Sequence, residues 1–164
     1  MLRHERARGR VPYCIDTSSL IAAWEERYPI DHFPNFWKLF EGAIENGKLS
    51  APAPVLDETE RKSKELHDWL ADRDGLFVDL DQAVQLEVKA ILAKHPRLIM
   101  EKKQRYAADP FVIALAKLKG LVVVTDEKPT GALNRPNIPD VCDDYGLTWI
   151  GLLQLIKQEK WIVG

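Results

Sequence analysis

The sequence of 164 residues is poor in the features that announce several large protein classes. It has two cysteines, Cys14 and Cys142, in no CxxC pair, so a disulfide framework and a thiolate metal site are excluded and a reduced interior is expected. No apolar run approaches the length of a membrane span. The arginine-bearing first ten residues lead into no apolar stretch of the kind a signal peptide needs, and a cytoplasmic protein is expected. The four histidines do not recur at metal-ligand spacing, which argues against zinc. The glycines form no GxGxxG, Walker loop or GxSxG elbow, and Ser18 and Ser19 have no neighbouring base. A formal charge of -2 gives no global basic signature for nucleic acid, although a local basic groove remains compatible with it. There is no internal repeat and no low-complexity segment.

What is present is a chain that is 46% hydrophobic, enough for one packed core. Met1 to Arg10 reads as a basic arm, and 11–164 as a single domain. Val11–Ile15 is an apolar, β-prone run ending in Asp16. Thr17 or Ser18 is positioned to cap the helix that follows, which Tyr28-Pro29 ends. Phe33, Phe36, Trp37, Leu39 and Phe40 recur at helical spacing, which makes them a core stripe before they are a stacking surface. A strand is expected over Lys48–Ala51, a helix over Val55–Arg73 with a break near His67, an extended link over Leu76–Leu80, and a helix over Gln82–Lys94. Lys102, Lys103 and Arg105 form a basic connection to Asp109-Pro110, which has the look of a capping acid followed by proline at the first helical position. The helix after it is apolar on nearly every face until Gly120. Leu121–Val124 is the continuous β-branched run of a strand covered on both sides, ending in Thr125, Asp126 and Glu127. A loop over Lys128–Pro136, a helix over Ile138–Tyr145, a strand over Leu147–Ile150 and a helix over Leu152–Gln158 complete the chain. Strands alternating with helices imply an α/β fold: a three-layer α/β/α sandwich around a mostly parallel sheet of four to five strands.

Parallel sheets gather chemistry at the C-terminal ends of their strands. Asp16 stands at one such end, Asp126 and Glu127 at another, and Asp109 opens the buried helix between. Among Asp57, Glu58 and Glu60, helical phase selects Glu58, roughly 60° from the apolar face through Val55, while the other two point away. Carboxylates gathered without histidine or thiolate suit hard cations, Mg²⁺ or Mn²⁺, and such ions activate water for phosphodiester hydrolysis. Each acid also has an ordinary reading, as a helix cap, a turn residue or a solvated helix acid.

These residues resemble the PIN domain family: Asp16-Thr17-Ser18 is similar to its opening D-x-S/T/N, Val55-Leu56-Asp57-Glu58 to its second motif, Asp109 to Ala116 to its D-x-x-I-A-x-A helix, and Val123 to Glu127 to its last strand end. Ile138 to Cys142 with Tyr145-Gly146 resembles an uncharacterised PIN-like branch of short prokaryotic proteins. The resemblance implies a Mg²⁺- or Mn²⁺-dependent endoribonuclease, the toxin of a toxin–antitoxin pair, with an RNA substrate, an antitoxin partner and a homodimer. Asp16, Glu58 and Asp109 match its metal-binding acids and Ser18 its metal-proximal hydroxyl. The usual T-x-D pattern, counted from Thr125, reaches Glu127 and leaves Asp126 one place early, so both stand as the fourth acid. Arg61, Lys62, Lys64, Lys102, Lys103 and Arg105 would provide a basic rim or an ordinary solvated face. Two other functions fit parts of the pattern: an inactive PIN-like module with the Phe33–Phe40 stripe as its interface, and a signalling receiver domain using Thr125 and Lys128.

Overall fold

The computed structural model describes residues 12–100 and 107–164; the basic arm and the Lys102–Arg105 connection lie outside them. Strand β1 (Tyr13–Ile15) leads to α1 (Thr17–Ala22), which continues as a π-helical turn, Ala23–Arg27. Helix α2 (Pro34–Glu45) and β2 (Leu49–Pro52) follow, then α3 (Ala53–Lys62), α4 (Lys64–Ala71), a 3₁₀ turn at Asp74–Leu76 and β3 (Phe77–Val78). Next come α5 (Gln82–Lys94), α6 (Arg97–Met100), α7 (Asp109–Lys119), β4 (Val122–Val124), α8 (Ile138–Tyr145), β5 (Trp149–Ile150) and α9 (Leu152–Gln158).

The five strands form one sheet in the order β3-β2-β1-β4-β5, every neighbour parallel. Helices flank it in the α/β/α arrangement expected. Strand β1 is central: Tyr13 pairs with both Leu49 and Val122, and Ile15 with Val124. A strand hydrogen-bonded on both edges and covered on both faces has no solvent side, which is why Tyr13, Cys14 and Ile15 are all buried. The order also rules against the receiver reading, whose doubly wound sheet runs 2-1-3-4-5 with the first strand off centre.

From β1 the chain winds one way to β2 and β3, and β4 with β5 lies on the other side. The switch point therefore falls between β1 and β4, and their C-terminal ends open the crevice where such sheets bind ligands. Helix α7 packs behind this point with Val112, Ile113, Ala114, Leu115 and Ala116 buried, and Gly120 ends it at φ 66° in the left-handed region.

The Phe33–Phe40 stripe is core, which corrects its use as an interface. Phe36, Trp37 and Phe40 are buried, and Trp37 meets Trp24 and Trp69 edge-on at ring centroid distances of 5.0 Å each. Trp37 Nε1 donates to the Tyr28 carbonyl at 2.6 Å, so the indole is buried with its polar atom satisfied. Edge-to-face pairs of this kind add about 0.5–1.5 kcal/mol each beyond area burial.

The break expected near His67 falls instead at Ser63. Its extended backbone (φ -155°) ends α3, and its hydroxyl accepts from Leu66 N–H at 3.4 Å to cap α4. A serine offering its own oxygen to a helix start competes with continuation of the preceding helix. His67 sits inside α4, its Nδ1 3.1 Å from the Leu56 carbonyl.

Candidate functional site

Asp16 ends β1 and remains part of the sheet, its N–H donating to the Val124 carbonyl at 3.0 Å. It, rather than Thr17 or Ser18, caps α1: its backbone is extended (φ -93°, ψ 171°) while theirs is already helical. The carboxylate accepts from Ser19 N–H at 2.8 Å, from Ser18 Oγ at 2.9 and 2.8 Å, and from Thr125 Oγ1 at 2.5 Å. Capping needs only the first of these. The side chain is 2% exposed, and burial pushes its pKa up to about 6; the three donors oppose that shift, while the charge of Glu127 adds to it.

Glu58 is brought to the same place from α3, 4% exposed, while Asp57 and Glu60 face solvent. Thr17 Oγ1 donates to its Oε1 at 2.5 Å and Ala108 N–H to its Oε2 at 3.3 Å. Burial raises its pKa; Thr17, Ala108, Lys62 and Arg61 work against the shift. The residue after Ala108 is Asp109, 3% exposed at the start of α7. Asp109 was expected to cap this helix. Ala108 occupies the cap and makes no side-chain bond, so Asp109 is the first helical residue, where a carboxylate complements the helix dipole.

The two acids after β4 diverge. Asp126 N–H donates to Ser18 Oγ at 3.0 Å, but its carboxylate pairs with Arg27 at 2.6 Å, partly exposed at the end of the π-helical turn. Glu127 N–H donates to Thr125 Oγ1 at 3.0 Å, and its Oε1 accepts from Ile138 N–H, the first residue of α8, at 2.9 Å. Its charge is the one felt by Asp16. Ser18 and Thr125 thus tie the ends of β1 and β4 together, each holding Asp16 and a backbone N–H of the following strand end.

Three further residues shape the site. Thr17 orients Glu58, and Arg27 occupies Asp126. Asp140, buried in the first turn of α8, accepts from the N–H groups of Thr130, Gly131 and Asn137 at 2.9, 2.9 and 2.8 Å, and these bonds hold its pKa down despite burial. It pins the loop that follows Glu127. The Asn137-x-x-Asp140 spacing is that of a capping box and was the available signal. No local pattern marks Thr17 or Arg27, whose partners lie 41 and 99 positions away.

The donor chemistry, all oxygen and mostly buried, fits a hard divalent cation. Among the described residues, however, no three acidic, histidine or cysteine side chains converge closely enough, as they stand, to enclose one. The two facts are compatible, because Mg²⁺ keeps several waters and is commonly held by one or two carboxylates. Among the described residues the histidines lie elsewhere: His32 is exposed, and buried His95 pairs with Asp144 at 2.8 Å. Cys14 and Cys142 are buried free thiols, and burial pushes Cys142 up to about 12, far from a thiolate at neutral pH. No helix among the described residues is long and apolar enough to cross a membrane.

Residues 13–163 match the family described as a domain of unknown function, DUF4411. No curated protein matches the sequence significantly. The solved structure of VapBC2 from Rickettsia felis, bound to a DNA fragment from its promoter, is similar with a TM-score of 0.51 at 12% identity, over 85% of this chain and 97% of that one. PAE2754 from Pyrobaculum aerophilum is similar over 93% of this chain and 99% of its own, at 21% identity and a TM-score of 0.49. Identities this low bear on the fold alone. With its PIN-like α/β/α architecture, this chain belongs to the DUF4411 family.

Proposed function

We propose that this protein is a Mg²⁺- or Mn²⁺-dependent endoribonuclease, acting in the cytoplasm as the toxin of a toxin–antitoxin pair. The observation that supports the reading is that Glu58 accepts from Thr17 and from the Ala108 N–H, the sequence neighbours of buried Asp16 and Asp109, with Asp16 at the switch point of a parallel sheet. Buried carboxylates repel one another and resist ionisation, and a cation relieves both costs. Asp16, Glu58 and Asp109 would hold it, one or two of them directly and the rest through its waters. When bound, it would acidify a water and neutralise charge developing on a phosphoryl group.

The chain's own groups would do the rest. Ser18, Ser19 and Thr125 keep Asp16 oriented, and Thr17 does so for Glu58. Glu127, not Asp126, would be the fourth acid and would take the proton of the attacking water at its carboxylate. Asp126 is engaged with Arg27 at the rim. The toxin role, the antitoxin and the homodimer follow from the family resemblance and from likeness of fold.

The test is cleavage of structured and unstructured RNA with Mn²⁺ by wild type and Asp16→Asn. Loss of cleavage in the variant is expected, and equal activity ends the assignment. A second reading, an inactive module of the same fold, is favoured by the absence of a converged set of three acids among the described residues.

A further inference from the structure

A cleft of about 480 Å³ lies between α1 and α3, lined by Ile21, Glu58, Arg61 and Lys62. Three chemistries meet there. Glu58 contributes a buried carboxylate. Arg61 and Lys62, exposed in the last turn of α3, stand three and four positions further on and so share its helix face. Ile21, partly buried on α1, supplies an apolar wall.

The last turn of a helix favours cations in general. That accounts for the sign of these two side chains, but not for their place on a cleft beside a buried acid. Two cations next to a carboxylate that would itself hold a cation form a mixed field. A phosphodiester fits such a field, with its oxygens facing positive charge on both sides. A volume in the range of small-ligand pockets suits one nucleotide unit and not a duplex.

We propose that this cleft seats the unpaired ribonucleotide adjoining the scissile phosphate. Arg61 and Lys62 contact its phosphate, and Ile21 packs against its sugar or base. The assignment rests on the nuclease reading above and selects Arg61 and Lys62 over Lys64 among the described rim cations.

Binding of a single-stranded oligoribonucleotide to the full chain, followed by fluorescence polarisation in EDTA across a salt series, tests it without cleavage. The Arg61→Gln/Lys62→Gln variant is expected to bind about tenfold more weakly, with a salt slope shallower by about 1.4, the value for two lost single-strand phosphate contacts. Lys64→Gln, exposed and paired with Asp68 on α4, should match wild type. Ile21→Ala should weaken binding without changing the slope, and Glu58→Gln should strengthen it by removing a like charge. Melting curves confirm that the variants fold. Wild-type binding with an unaffected double variant overturns the cleft assignment alone. Equal binding of a duplex overturns the unpaired-strand assignment, and an unaffected Ile21→Ala overturns the apolar wall. If wild type binds no RNA, the nuclease reading falls and takes the cleft with it.

Discussion

Thr17 Oγ1 lies 2.5 Å from Glu58 Oε1, joining the first turn of α1 to α3. Both residues are buried, so this bond fixes the direction of an acid that would otherwise have several rotamers. Asp16 is the residue immediately before, and one short segment therefore positions two acids of the candidate site.

Replacing Thr17 by valine keeps the shape and removes the donor. Partners of this kind typically change metal affinity by about 10- to 100-fold when lost. Thr17→Val should therefore weaken Mn²⁺ binding, read by a thermal-shift titration, while Thr17→Ser restores it. Valine and serine variants that titrate alike would show that the bond serves packing only.

Asp16 sets a pH dependence. Burial raises its pKa from 3.8 to about 6, so the folded chain holds this proton more tightly than the unfolded chain. Between those values the folded state binds more protons, and stability falls as pH rises from about 4 to about 6. The cost of carrying the charge above that window is on the order of 3 kcal/mol. Glu58, also raised, acts in the same direction. Asp140, with a lowered pKa, contributes stability that is lost only as pH falls below the ordinary carboxylate range. Urea unfolding should show Asp16→Asn more stable than wild type at pH 7, with the difference fading near pH 4. Parallel profiles for the two proteins would refute the assignment of this charge.

The two acids after β4 should separate in function. Glu127→Gln is expected to reduce Mn²⁺-dependent RNA cleavage by about 100-fold, the scale of a lost proton acceptor. Asp126→Asn breaks a partly exposed pair with Arg27 of the kind worth under about 1 kcal/mol, and its rate should stay within a few-fold of wild type. The opposite ranking would assign the fourth position to Asp126.

Divalent cations should stabilise the folded chain. A ligand of the native state at a hundred times its Kd adds about 2.7 kcal/mol, several degrees in Tm for a chain this size. Mn²⁺ is expected to raise the Tm of wild type at pH 7 and not that of Asp16→Asn. No shift in wild type would favour the inactive module.

Much of this arrangement was legible before the fold was known. The helices Gln82–Lys94 and Ile138–Tyr145 follow the expected ranges because each is bounded by strong stop or cap signals, and Leu152–Gln158 follows its range as well. Apolar runs around Asp16 and before Thr125 marked strand ends, and the 3.6-residue period alone turned Glu58 inward. The errors were local too. The break at Ser63 and the cap at Ala108 depend on which of several competing side-chain bonds forms, and residue type ranks these only weakly.

Sequence by itself determined the fold class and the acids at the strand ends, because periodicity and β-branched runs encode which face of each element is buried. Only the tertiary structure decided that Asp126 pairs with Arg27, that Glu127 accepts from the Ile138 N–H and that Thr17 holds Glu58. It alone also placed Arg61 and Lys62, among the described rim cations, on a cleft. Most of these are pairings across tens of residues. Local pattern carries no information about such partners until packing brings β1, α3 and β4 to one edge.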